Sequence, residues 1–418
     1  MSWKQVKLGD ISANIQTGPF GSQLHQSDYS ETGFPVVMPK DLINGHISEK
    51  SIARVDASHV ERLSKHKIQI GDILYSRRGD VGRCAFATEK EKDWLCGTGC
   101  LRVTIDTEQA IPQFVFYLLQ MPDTVGWVIN HAVGSTMLNL NTTILSNIPL
   151  SVPEIVVQDR IVKILSAYDD LIENNQKQIK LLEEAAQRLY KEWFVDLHFP
   201  GWEETKIVDG VPEGWSRKTV EKCLEMNIGG GWGKETPTGK NEIAGKVIRG
   251  TDINDIKSGN YTDVPLRYHT ANDIKKRALK KNDIIFELSN GNINNIGRSL
   301  LIDDLILGHC GENTICASFC KLFRPLNRMH SLVLYLEIQD MQLSGRMLPY
   351  KKQGSNGINN FAFDEFLNHE LLIPNSETLL LPFESIMQKI GIIQSQFALL
   401  TEARDRLLPK LMSGEVEV

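Results

Sequence analysis

The sequence predicts an α+β protein with two tandem domains, related by a pseudo-twofold axis and separated by two long helices that form an antiparallel coiled coil. Three observations carry this: a polar loop between two short strands that occurs twice, a wider duplication around that loop, and two heptad-periodic stretches of matching pattern. Residues 71–83 read GDILYSRRGDVGR, and residues 282–298 read NDIIFELSNGNINNIGR. Each is a turn, a short apolar run, a polar loop and a Gly-Arg that opens a second strand.

The echo extends beyond the loops. Trp3 in SWKQVKLGDI answers Trp215 in GWSRKTVEKCL, and PVVMPKDLINGHI at 35–47 answers GKVIRGTDINDI at 245–256. Cys96-Gly97 is expected to correspond to Cys310-Gly311, and Gly134-Ser135 to Gly354-Ser355. A repeat of about two hundred residues is too long for a solenoid, so each copy is a domain. The expected boundaries are 1–153 for the first domain, 154–196 for the first long helix, 197–374 for a connector and the second domain, and 375–418 for the second helix and tail. The connector WFVDLHFPGWEETKIVDGVPEGW, rich in Trp, Pro and Gly, reads as ordered.

The first heptad seam runs through Ile161, Leu165, Tyr168, Ile172, Asn175, Ile179, Leu182, Ala186, Leu189 and Trp193. Steps alternate between four and three, and asparagine is the one interruption. The second runs through Leu379, Phe383, Ile386, Ile390, Ile393, Phe397, Leu400, Arg404, Leu407 and Leu411, interrupted by Arg404. At 1.5 Å per residue, a helix over about 158–193 would span roughly 50 Å. Asn175 is either a register-fixing polar residue in the seam or an exposed position near a helix crossing. Within the domains short alternating strands dominate, with helices such as that near PQFVFYLLQM at 112–121.

Composition narrows the function. The chain has 418 residues, 41% hydrophobic and 23% charged, which is ordinary for a globular protein. MSWKQVKLG lacks the apolar run of a signal peptide, and no stretch approaches a membrane span, so a cytoplasmic protein without membrane contact is expected. The seven cysteines fit a reducing compartment. They lie in strand-like stretches such as LCGTGCLRV and ICASFCKLF without the C-x2-C pairs of a zinc site, and so read as buried free thiols, not metal ligands. A net charge of −6 argues against a chain that grips nucleic acid over its whole surface, but not against local basic faces.

No catalytic residues are expected. There is no Asn-Pro-Pro-Tyr-type loop for methyl transfer to a base amine, and Gly97-Thr98-Gly99 lacks the third glycine of a dinucleotide fingerprint. GKETPTGKN at 233–241 has one residue too many for a P-loop and ends in Asn where Ser or Thr would bind magnesium. Asp196 with Glu204-Thr205-Lys206 resembles pieces of a metal nuclease, but it lies in the connector and reads as a solvated turn.

The polar loops fit binding. Arg77, Arg78 and Arg83, with Lys65 and Lys67 before the strand, mark the first; Lys275, Lys276, Arg277, Lys280 and Lys281, followed by Asn290, Asn292, Asn294, Asn295 and Arg298, mark the second. Arginine can contact guanine N7 and O6 bidentately, asparagine suits adenine, and lysine neutralises phosphate. Arg77, Arg78 and Arg83 are candidates for one half-site, and Lys276, Arg277, Asn290, Asn292 and Arg298 for the other. Arg83 and Arg298 are equally consistent with pairing to an acidic neighbour. The lysine run is equally consistent with a solvated helix face. Ser135, Thr136, Ser355 and Asn356, on glycine-bearing loops, are candidate phosphate contacts.

Over essentially its whole length the chain resembles the DNA-specificity subunits of type I restriction-modification systems. GDILYSRRGDVGR, the GSTMLNLN loop leading through IPLSVPEIVVQDRI, and RLYKEWFVDLHFP carry the resemblance. Departures are Val152-Pro153 and Val157-Gln158, where the family often has Pro-Pro and Glu-Gln, and LLIPNSETLLLPFESI, which leaves the start of the second helix unplaced. The resemblance implies a noncatalytic subunit with two target-recognition domains reading a bipartite, asymmetric sequence in double-stranded DNA. It implies docking of two methyltransferase subunits that hold S-adenosylmethionine and, in a restricting system, two restriction subunits using ATP and Mg. No homo-oligomer is expected in the working complex, and no cofactor on this chain. The rival readings are a duplicated coiled-coil scaffold for proteins, and a stand-alone DNA nuclease with an unrecognised site.

Overall fold

A computed structural model describes residues 3–134, 137–354 and 357–418. The chain forms two compact units, Met1–Asp170 with Glu402–Val418, and Leu171–Thr401.

In the first unit a four-stranded antiparallel sheet has the order Ser12–Thr17, Cys100–Ile105, Ile73–Ser76, Cys84–Phe86. In the second, Leu224–Gly229, Cys320–Pro325, Ile284–Glu287 and Ser299–Leu301 take the same order. Each of these sheets holds its central apolar run between two cores. Ile73 and Tyr75 face one cluster with the helix Pro112–Leu119, while Leu74 faces another with Cys96 and Cys100. Ile284 and Phe286 face a cluster with the helix Arg328–Ser344, while Ile285 packs with Cys316 and Cys320. Burial on both faces is why these runs are continuously apolar instead of alternating.

The repeat differs from expectation at one point. Leu95–Cys96 pairs in parallel with Phe34–Val37, and the matching parallel pair is Ile315–Cys316 with Ile243–Ile248. Cys96 therefore corresponds to Cys316, and Cys100 to Cys320. Cys310 instead ends the helix Asp304–Cys310, where Gly311 takes φ +89°. The Cys-Gly dipeptide was a chance match; strand pairing sets the true alignment. All seven cysteines are free and buried, and burial pushes the thiols of Cys96 and Cys316 up to about 12.

The first long helix is Ile155–Tyr190, continued by a π-turn at Lys191–Val195; the second is Leu381–Ser413, preceded by a 3-10 turn at Glu377–Leu380. In the second unit Ile179 packs on Ile390 and Ile393, while Ala186, Tyr190 and Phe194 share a cluster with Phe383. Later residues of one helix meet earlier residues of the other, so the coiled coil is antiparallel. In the first unit Ile161 and Leu165 pack with Leu411 and Met412, and Leu407 borders the same cluster. Phe397 is buried, and Ile172, Leu182, Leu189, Ile386 and Leu400 are half-buried. Asn175 is only 5% exposed and is therefore a seam residue; its Nδ2 has no partner among the described residues. Arg404 interrupts the seam because Asp169 receives it at 3.2 Å, the same carboxylate that accepts from Tyr117 Oη at 2.6 Å.

Gln158 shows what entering the first helix requires. Fully buried, it accepts from Ile111 N–H at 2.9 Å and donates to Pro153 O at 2.8 Å, satisfying backbone at the start of the helix Pro112–Leu119. The connector is ordered as expected: Trp215 packs on Phe194 and Phe199 with centroids 5.1 and 4.9 Å apart. Asp196 pairs with Lys191 at 2.6 Å, and no group of His, Cys, Asp or Glu with metal-holding geometry occurs among the described residues. No described helix is long and apolar enough to cross a membrane.

Candidate nucleic-acid interface

The two polar loops hang on one hydrogen-bond frame. Ser76 N–H donates to Arg83 O and Glu287 N–H to Arg298 O, both at 2.9 Å, closing each loop at its base. Arg77 N–H donates to Gly99 O and Leu288 N–H to Phe319 O; Leu140 N–H donates to Arg77 O and Phe361 N–H to Leu288 O. Each loop is thus clamped between the turn after its parallel strand and the glycine-bearing segment that leads to the long helix. Ser135, Thr136, Ser355 and Asn356 belong to those segments but lie outside the described residues.

The basic residues also recur in place. Ile68 N–H donates to Trp94 O and Leu279 N–H to Thr314 O, each at 2.8 Å, which makes Lys65 the counterpart of Lys276. Lys65, Lys275, Lys276 and Lys280 are exposed and form no ion pair among the described residues. Lys67 lies 3.9 Å from Asp93, and Lys281 pairs with Asp304. Arg277 is bound on both sides, to Asp273 and, at 3.0 Å, to Gly229 O. The helix Ala271–Arg277 that carries this run is capped by Thr270, whose side chain accepts from Asp273 N–H.

What differs is the foot of each loop. In the first unit it is the small Ser76, which holds none of the loop's arginines by an ion pair. Arg78 is exposed without an ion pair among the described residues, Arg77 lies over the Phe20 ring, and Arg83 pairs with exposed Asp80. In the second unit the foot is Glu287, 2% exposed, which takes Arg298 Nε and Asn290 Nδ2, each at 2.7 Å. Gly250 abuts this carboxylate so closely that a Cβ would stand 2.1 Å from Oε1. Asn290 Oδ1 accepts from Asn292 N–H at 2.7 Å and from Asn295 Nδ2 at 3.3 Å, and Asn292 Oδ1 caps Asn294 N–H.

Asn290 therefore uses both ends of its amide inside the loop, and Arg298 is the ion-paired residue of the two readings open to it. The exposed amides are Asn292 and Asn294. The asparagines build a chain of Asx turns that the buried carboxylate anchors. One feature escaped sequence reasoning: Phe20 and Trp232 occupy corresponding positions after the first sheet strand. Their signal is Gly-x-aromatic, GPF at 18–20 and GGW at 230–232.

Two polar loops of unlike surface on a duplicated frame, joined to paired long helices, accompany a similarity to specificity subunits of type I restriction-modification systems. A profile of the "Type I restriction modification DNA specificity domain" matches residues 1–184 of the 418. The chain is 24% identical over 440 residues to the type I restriction enzyme MjaIX specificity subunit of Methanocaldococcus jannaschii, covering 100% of this chain and 94% of that protein. It is 30% identical over 201 residues to the HindI specificity subunit of Haemophilus influenzae, covering 46% of this chain and 41% of that one. Its fold is similar to the crystal structure of a type I system S subunit from M. genitalium, with TM-score 0.57, 16% identity, and coverage of 98% of this chain and 96% of that one.

Proposed function

We propose that this chain is the noncatalytic sequence-reading subunit of a cytoplasmic type I complex, recognising a bipartite, asymmetric duplex target and docking two adenine-methyltransferase subunits. The observation that carries the proposal is the shared frame with unlike loops: exposed arginine over Ser76 in one unit, an asparagine chain over Glu287 in the other. Equivalent frames with different surfaces suit two different half-sites. Unpaired Lys65, Lys275, Lys276 and Lys280 beside them suit the phosphates, which position a protein without specifying sequence. S-adenosylmethionine belongs to the methyltransferase partners; ATP and Mg belong to restriction subunits where a system has them. Partner surfaces also account for how a chain of net charge −6 works on DNA.

The test is co-expression with a methyltransferase encoded beside the chain, followed by single-molecule mapping of methylated adenines across a genome. A two-part motif with a constant gap is the expected result; methylation without such a motif returns the protein-scaffold reading. In the same assay Arg78→Ala is expected to relax the first half of the motif alone, because a good bidentate contact is worth roughly 1–3 kcal/mol of base discrimination. A motif unchanged in both halves would remove Arg78 from the reading set.

A further inference from the structure

Phe20 and Trp232 sit at one topological point of the two units. Gly18 N–H donates to Cys100 O at 2.9 Å, and Gly230 N–H donates to Cys320 O at 3.0 Å. Both glycines are pressed onto neighbouring backbone, where a Cβ would lie 1.8 Å from Gly97 O and 2.1 Å from Ala317 O respectively. Two residues further on, each chain presents an aromatic to solvent, Phe20 at 55% and Trp232 at 39% exposure.

A single exposed apolar side chain is ordinary and calls for no explanation. Recurrence at the same point, beside the recognition loops, does. A guanidinium lies over each ring, Arg77 at 5.9 Å and Arg267 at 4.7 Å from the centroid. Arg77 leaves the end of the strand Ile73–Ser76, whereas Arg267 belongs to Leu266–His269, so different elements supply the cation to an equivalent aromatic. The Nε of each arginine is shielded from solvent and has no hydrogen-bond partner among the described residues. The unpaired lysines are adjacent in both units: Arg277 ties their helix to Gly229 O, and Gln16 Nε2 ties Lys65 O to the strand before Phe20 at 2.6 Å.

We propose that Phe20 and Trp232 are DNA contacts, each stacking on the face of a nucleobase at an opened base step beside its half-site, with the arginine as the ring's backing. This rests on the reading of the chain as a DNA-recognition subunit. Every base has a π-face, so the contact adds affinity without choosing a base. In this it differs from Arg78, whose loss is expected to alter the motif.

The experiment uses the full chain assembled with its methyltransferase, a duplex carrying the mapped motif, and the variants Trp232→Ala, Trp232→Phe and Phe20→Ala. Trp232→Ala and Phe20→Ala are expected to weaken binding roughly 5- to 150-fold, the range for alanine at base-stacking aromatics. Trp232→Phe should stay near wild type, and the methylation motif should be the same for all. 2-Aminopurine stepped through the half-site should be quenched by the wild-type complex at one position and released in Trp232→Ala. Unchanged affinity in a Trp232→Ala complex of normal thermal midpoint overturns the inference. So does a loss that comes with a lowered midpoint and unaltered 2-aminopurine fluorescence, because the ring is then structural. A wild-type complex with no bipartite motif would instead overturn the functional reading beneath it.

Discussion

Glu337→Ala is expected to destabilise the second unit by about 3–5 kcal/mol, the range for breaking a buried ion pair from one side. Glu337, 5% exposed in the helix Arg328–Ser344, accepts from Tyr190 Oη at 2.8 Å, from Arg346 Nη1 at 2.8 Å, and faces His369 Nε2 at 2.8 Å. Arg346 also reaches Asp340, so the network clasps the end of the first long helix to the domain it carries. Burial pushes the Glu337 carboxyl up, but hydrogen bonds from His369 and Arg346, and the charge of Arg346, outweigh it and hold the pKa down from 4.5 to about 2.

A carboxyl depressed in the folded state binds its proton more weakly there than in the unfolded chain. Its stabilisation, on the order of 3 kcal/mol, is therefore whole above about pH 4.5 and is lost as the pH falls to about 2. Urea titrations between pH 7 and pH 2.5 measure this directly. Glu337→Gln should flatten the acid limb of the stability profile, and an acid limb as steep as wild type would place the acid sensitivity elsewhere.

Arg298→Ala is expected to cost a similar amount, about 3–5 kcal/mol, because it strands Glu287 at 2% exposure. The equivalent change in the first loop, Arg83→Ala, removes a pair whose side chains are 50% and 59% exposed and should cost no more than about 1 kcal/mol. Thermal unfolding of the two variants side by side tests the contrast. Equal midpoints would mean that Glu287 is neutralised or solvated some other way when Arg298 is gone. On the proposed function, Arg298→Ala is expected to depress methylation at the whole target through loss of the folded unit, and Arg78→Ala to relax one half of it.

Heptad steps through Ile161, Leu165, Ile179, Ile390, Ile393 and Leu411 were legible because seam burial is written at every third or fourth residue. The strands were legible because their apolar runs are short and bounded by turn residues such as Gly71 and Asn282, which take φ +84° and +70°. The Cys310 misalignment arose because dipeptide identity carries less information than strand pairing, and the Ile315–Cys316 pairing with Ile243–Ile248 joins residues far apart in the chain.

By itself, then, the sequence determined the duplication, the paired long helices, the buried thiols and the two loops set on equivalent strands. The helices, strands and loops follow from periodicity and turn chemistry local to each element, and the duplication from their recurrence about two hundred residues later. Only the tertiary structure decided which loop side chains face outward. Asn290 is held by Glu287 and Asn295, Asn359 reaches back 69 residues to Asn290 O, and Phe20 and Trp232 are equivalent only through the bonds of Gly18 and Gly230 to a strand distant in sequence within each unit. A polar side chain's availability depends on whether a partner already satisfies it, and those partners are brought together by folding.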